Sequence, residues 1–160
     1  MARRSEHSKE EIKAMVLEAA ENIIAEEGSQ ALTVRKIAAE IDYTIGCVYM
    51  VFDNMDTLIW QIRLRTLNEI IARMALDAEQ ESDPEQQLRI MTETYLEFAS
   101  RHCNRWRMLS ESQKEETPTP EYRQKVSRII DDIADLLSRF GGTSAAWSPT
   151  QAAKVFWGSL

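Results

Sequence analysis

Cysteine, histidine, glycine and proline are all scarce in this 160-residue chain, at two, two, five and four residues. Two cysteines, Cys47 and Cys103, exclude a disulfide scaffold and point to a reducing compartment. The two histidines, His7 and His102, stand in no His-x-x-x-His or Glu-x-x-His spacing, and no cysteine pair has ligand spacing. No metal site is therefore expected. Few glycines and prolines argue against a turn-rich β-sandwich and against low complexity. No stretch approaches the ~18 consecutive apolar residues of a membrane span. The first thirteen residues mix Arg3, Arg4, Lys9 and Lys13 with Glu6, Glu10 and Glu11 and have no apolar region behind them, so they are not a secretory signal. A cytoplasmic protein with no membrane partner is expected. A Gly-rich phosphate loop and a Gly-x-Ser-x-Gly motif are missing too, so no enzyme and no cofactor are expected. Paired carboxylates such as Asp131-Asp132 lie in an amphipathic stripe and read as a solvated face.

What is present is ordinary for a globular protein, with 44% hydrophobic and 28% charged residues. The length suits one domain, or one domain with a small module. The net charge of −7 at first speaks against nucleic acid. Net charge bears on solubility and non-specific binding, however, and not on what one local face does.

Apolar residues recur at helical spacing along the chain. The first set is Ile12, Met15, Val16, Ala19, Ala20, Ile23 and Ile24, opened by a Ser8-Lys9-Glu10-Glu11 capping box and closed by Gly28. A short set, Val34, Ile37, Ala38 and Ile41, follows Thr33 as N-cap. After Asp42-Tyr43, Thr44 caps another short helix over Ile45, Val48 and Tyr49. A fourth helix, in the segment 53–80, buries Met55, Leu58, Ile59, Ile62, Ile70, Ile71 and Met74. Ser82-Asp83-Pro84-Glu85 opens a fifth with Leu88, Met91, Tyr95, Phe98 and Ala99. Trp106, Met108 and Leu109 form a short apolar segment beyond it. Pro120 begins the longest stripe, from Tyr122 to Phe140, and Ser148-Pro149 starts a last helix over Ala152, Ala153, Phe156, Trp157 and Leu160. No alternating strand pattern of useful length appears. The fold class is all-α, with about eight helices. The chain ends inside an apolar helical face without a closing cap, which suggests a shortened C-terminal half.

The segment from Thr33 to Phe52 has the layout of a helix-turn-helix. Ala38 supplies the small residue where two helices cross. Ile37, Ile41, Val48 and Val51 supply the flanking apolar set, and they read as core, not as contacts. Asp42 occupies the turn position that needs a residue tolerant of positive φ. The second helix then presents its N-terminal residues to base edges in the major groove.

These residues resemble the tetracycline-repressor (TetR) family of bacterial transcription regulators, over roughly residues 8–62. The carriers are Thr33-Val34-Arg35-Lys36-Ile37-Ala38, then Thr44-Ile45-Gly46-Cys47-Val48-Tyr49, then Phe52 and Leu58 at the family's offsets. The chain departs from the family pattern at Val51, where many members have His, and at Met55, where many have a phosphate-binding Lys. The resemblance implies an N-terminal DNA-binding domain over residues 1–53 and a helical regulatory and dimerisation domain over 54–160. It implies a ligand-responsive transcriptional regulator, most simply a repressor, that binds a palindromic operator as a homodimer. The DNA-contact candidates are Arg3, Arg4, Thr33, Tyr43, Thr44, Ile45, Gly46, Cys47, Tyr49 and Asn54. Thr33 heads a helix whose N-terminus can face a phosphate. Gly46 admits close backbone approach, and Tyr49 offers its hydroxyl to a phosphate while its ring is free to pack. Cys47 reads better as a small residue at a DNA face than as a redox sensor.

The remaining residues are rich in Met and aromatic side chains, which suit an adaptable apolar or aromatic small-molecule effector. Trp60, Met74, Met91, Tyr95, Phe98 and Trp106 are the candidate lining, although each taken singly reads equally well as core. The last two helices are the candidates for the dimer interface. The rival reading is a helical protein–protein interaction module without DNA binding. Residues 1–60 support it, because they carry six basic groups against eleven acidic ones. The helix-turn-helix spacing is more specific than a charge sum and decides between them.

Overall fold

The computed structural model describes residues 7–110, 117–139 and 147–159. Among them are eight α-helices and one short 3₁₀ turn. Arg3, Arg4, Phe140, Gly141, Gly142 and Leu160 lie outside the described residues.

Helix α1 (Lys9–Glu27) starts where the capping box puts it. The Glu11 N–H donates to Ser8 Oγ at 3.3 Å, and the Ser8 N–H donates to Glu11 Oε2 at 2.6 Å. The Ser8 backbone N–H, and after it the Ser8 hydroxyl, hold the Glu11 carboxyl below its ordinary value of 4.5. A lowered folded value means stability that is complete above the unfolded value and is lost as pH falls through the folded one. Urea unfolding at neutral and acid pH is therefore expected to show a smaller acid-induced loss in Glu11→Gln than in the parent. At the other end Gly28 takes φ 88°, and its N–H donates to Ile24 O at 2.9 Å.

A 3₁₀ turn (Ser29–Ala31) leads to α2 (Val34–Glu40) and α3 (Ile45–Val51). Helices α4 (Met55–Ala78), α5 (Pro84–Arg101) and α6 (Cys103–Ser110) follow, then α7 (Pro120–Arg139) and α8 (Pro149–Ser159). The prolines at the first positions of α5, α7 and α8 fit a site whose N–H has no helical partner. Ser148 and Gln151 form a second reciprocal cap at the start of α8.

Two compact units divide the chain. The first takes the described residues of 1–65 and 102–116, and the second those of 66–101 and 117–160. This differs from a boundary at residue 53. The first unit carries the opening turns of α4, and α6 returns to it. The reason is packing. Its core gathers Ile12, Val16, Ala20 and Ile24 of α1, Ile37 of α2, Val48 of α3, Leu58 and Ile62 of α4, and Met108 of α6. Asn104 fixes α6 further by donating its Nδ2 to Ala25 O at 3.0 Å. Arg65 makes a two-pronged pair with Glu21, at 2.7 and 3.1 Å. Leu17 is buried on α1 while Met15 is half-buried, a small rotation of the expected face.

The second unit packs α7 along α8. Ile129, Ile133, Ala134 and Ala153 form its core with Leu67, and Leu137, Phe156 and Trp157 pack around them. Thr94 donates its hydroxyl to Asp77 Oδ2 at 2.7 Å, joining α5 to α4. No helix among the described residues is long and apolar enough to cross a membrane.

Candidate nucleic-acid interface

Helix α2 is capped by Thr33, whose Oγ1 accepts the Lys36 N–H at 3.2 Å. Its last turn closes when the Tyr43 N–H donates to Ala38 O at 2.9 Å. Between them Asp42 sits at φ 56°, the left-handed conformation that the turn position requires. Ala38, Ile37 and Val48 are buried, so the two short helices meet through a small residue and lock onto α1.

Burying Val48 turns the opposite side of α3 outward. Ile45 is 39% exposed, Tyr49 47% and Met50 50%. Gly46 is exposed as well, and Cys47 is half-buried. These positions share one helical face by their spacing. Met50 was not among the sequence candidates. The signal for it was its spacing of four from Gly46 and five from Ile45, on the face away from Val48.

Thr44 is the N-cap of α3, but its hydroxyl does not cap the backbone. It donates instead to Cys47 Sγ at 3.2 Å. The first N–H groups of α3 thus have no side-chain cap, and the Cys47 N–H donates to Thr44 O at 3.0 Å. Asn54 is engaged at the start of α4, where its Oδ1 accepts from the Thr57 N–H at 2.8 Å and the Thr57 hydroxyl at 3.0 Å. Its Nδ2 takes part in neither of these bonds. Tyr43 is half-buried against the core and shares a 2.8 Å hydrogen bond between its hydroxyl and His7 Nδ1. Thr33, Thr44, Ile45, Gly46, Tyr49 and Asn54 are therefore exposed around α3, Cys47 is partly so, and Tyr43 chiefly braces the turn. Arg3 and Arg4 fall outside the described residues.

Residues 16–62 match the family model described as bacterial regulatory proteins, tetR family. Over those residues the chain is similar to the TetR family. The two departures from the TetR pattern have a structural reading: Val51 and Met55 both pack partly buried against the core of the first unit. An apolar side chain at 55 adds to that core where a Lys would reach outward.

No curated protein is a significant match to the chain. Several solved structures share the fold. A protein of unknown function from Rhodococcus sp. RHA1 is 14% identical with a TM-score of 0.77, covering 97% of this chain and 80% of its own. AibR, in complex with isovaleryl coenzyme A and operator DNA, is 16% identical with a TM-score of 0.71, covering 92% and 82%. A TetR-like transcriptional regulator from Rhodococcus sp. RHA1 is 20% identical with a TM-score of 0.67, covering 98% and 81%. At such identities the likeness is one of fold.

The second unit holds a cavity of about 320 Å³. Met74 and Met91 line it together with Ile71, Ile129 and Leu136. Tyr95 and Phe98 belong to the same unit but stand outside the lining. Tyr95 meets Trp157 edge to face at 6.0 Å, and Phe98 lies under the Arg73 guanidinium. Trp60 and Trp106 lie in the first unit. The Arg63 guanidinium stacks 4.5 Å above the Trp60 ring, and its Nε donates to Met108 O at 3.1 Å. The six candidate lining residues are thus not one constellation. Ala75, Ala78, Glu79, Gln87, Asp132, Asp135 and Arg139 complete the wall, and sequence reasoning left the polar ones out because polar residues on an amphipathic stripe look like a solvated face.

Proposed function

We propose that the chain is a ligand-responsive transcriptional repressor that reads a palindromic operator as a homodimer. The observation that carries this reading is the outward face of α3, with Ile45, Gly46, Tyr49 and Met50 exposed on a helix-turn-helix whose Asp42 has φ 56°. The N-terminal residues of α3 enter the major groove, and Tyr49 and the α2 N-terminus hold flanking phosphates. The TetR-type domain and the operator DNA held by AibR support the nucleic-acid partner. The reading is of a binding protein, not an enzyme, working in the cytoplasm beside the chromosome.

Dimerisation through α7 and α8 has support in exposed apolar side chains on and beside α8, with Val155 51% and Trp147 47% exposed. An effector in the cavity acts through α4, which carries Leu58 and Ile62 at one end and Met74 and Ala78 at the other. Moving α4 changes the spacing of two recognition helices, so that half-sites about one turn, ~34 Å, apart are no longer spanned. By linkage, an effector that weakens operator binding is itself bound less well by the DNA complex.

The test is selection from random duplexes. It is expected to return a palindrome with half-sites ~34 Å apart or a multiple of that distance. Tyr49→Phe should weaken binding to it by roughly ten- to a hundredfold, the effect of one hydrogen bond to a charged phosphate of about 1.5–3 kcal/mol. Failure to bind any duplex at low salt, where phosphate contacts are strongest, would favour the protein-interaction reading instead.

A further inference from the structure

The exposed face of α3 lacks every side chain that reads a base pair through two hydrogen bonds. The helix runs Ile45-Gly46-Cys47-Val48-Tyr49-Met50-Val51, with no Arg, Lys, His, Asn, Gln, Asp or Glu in it. Arg and Lys pair with guanine, Asn and Gln with adenine, and Glu or Asp with the cytosine amine. None of these pairings is open to α3. Beside it, the Tyr43 hydroxyl is engaged with His7 Nδ1 at 2.8 Å, and the Thr44 hydroxyl donates to Cys47 Sγ at 3.2 Å. What the face offers instead is hydrocarbon. Ile45 and Met50 are both exposed. Ile45 and Tyr49, and Gly46 and Met50, stand four residues apart, so they share one side of the helix. Folding does not call for these apolar groups: the core of the first unit takes Val48 from α3, with Val51 packed against it.

We infer that Ile45 and Met50 read thymine through its C5-methyl group, so that A·T pairs specify the half-site beneath them. This rests on the operator reading above and names the base chemistry that α3 selects. In the major groove thymine alone carries a methyl group, while the other bases present only ring acceptors, carbonyls or amines. An aliphatic side chain laid on that methyl removes apolar surface from water on both partners. The same side chain laid on guanine N7 and O6, or on the cytosine amine, takes those groups from water and pairs none of them. The two readers differ in strictness. Ile45 is β-branched and stiff, so it fixes the place of its methyl. Met50 is unbranched and flexible, so it follows a methyl that shifts.

Duplexes recovered by the random selection, resynthesised with deoxyuridine for thymidine at one position at a time, provide the test. Deoxyuridine keeps every hydrogen-bonding group of thymidine and lacks only the methyl. Fluorescence anisotropy with the full chain is expected to show about a fourfold loss of affinity for each methyl covered by α3, the value of one buried methyl-sized group. Replacements outside the half-sites should change nothing. Ile45→Ala should bring the thymine-to-uracil ratio to one at one position, and Met50→Ala at another. A methyl that acts through groove shape instead keeps its effect in both variants. Both side chains are exposed, so both variants should melt with the parent. Uracil tolerated at every position of a tightly bound duplex, or a ratio that survives in both variants, overturns the methyl reading and leaves the regulator standing. No binding to any thymidine duplex at low salt overturns the regulator, and the methyl reading with it.

Discussion

Gly46→Glu is expected to make the protein slightly more stable and to weaken operator binding by roughly a hundredfold, the result of several kcal/mol of like-charge repulsion. The two effects have opposite signs for separate physical reasons. A Cβ at Gly46 meets only Thr44 Oγ1, at 3.7 Å, an ordinary contact. Any side chain there avoids the roughly 1 kcal/mol that glycine costs inside a helix. A glutamate in the first turn of α3 also favours the helix by about 0.3–1 kcal/mol through the helix dipole. Thermal unfolding should therefore move upward. The same side chain points from the exposed face of α3 proposed to meet DNA, where it would repel the phosphates and fill the space of the closest backbone approach. Gly46→Ala should share the gain in stability and lose less affinity. A hundredfold loss accompanied by a falling melting temperature would mean damage to the fold instead.

Met108→Ala is expected to destabilise the first unit by about 2–4 kcal/mol, the range for emptying a buried large apolar site. Met108 is 1% exposed and belongs to the core formed by α1, α2, α3 and the start of α4. Its carbonyl also accepts the Arg63 Nε, so a shift of α6 disturbs a buried guanidinium. Hydrogen exchange should accelerate at the α1 amides around Val16, Ala20 and Ile24. The α7 amides around Ile133, in the other core, should change much less. Leu76→Ala is the control: Leu76 is 68% exposed, and its truncation should stay within about 0.5 kcal/mol. Equal acceleration in both units would show that the two cores unfold as one.

Local signals in the sequence carried far. The Ser8 box, the Thr33 cap and the Pro84, Pro120 and Pro149 starts all lie where residue chemistry places them, because a cap depends on neighbours three positions away. Asp42 was legible for the same reason: few side chains tolerate its backbone angle, and Asp is one of them. Long-range partnership was not legible. The spacing of Trp106, Met108 and Leu109 marks an apolar helix face but does not say which core receives it, and α6 returns to α1 across some eighty residues of chain. Trp60 shows the same limit: an aromatic in a Met-rich region suggested ligand, and it is covered by Arg63. The cavity wall was hidden differently. Asp132 and Asp135 fall at helical spacing with Ile129 and Leu136, so their acids looked solvated until α4 and α5 supplied the facing residues.

Helix α3 is the surface proposed to meet DNA, and the two native cysteines allow a direct measurement. Cys47 is partly exposed on α3 and Cys103 is exposed on α6. Maleimide alkylation rates of both thiols, followed by mass spectrometry with and without saturating operator duplex, report which face is covered. The expected result is a large slowing at Cys47 with Cys103 unchanged. An unchanged rate at Cys47 on a protein demonstrably bound to the duplex would contradict the account.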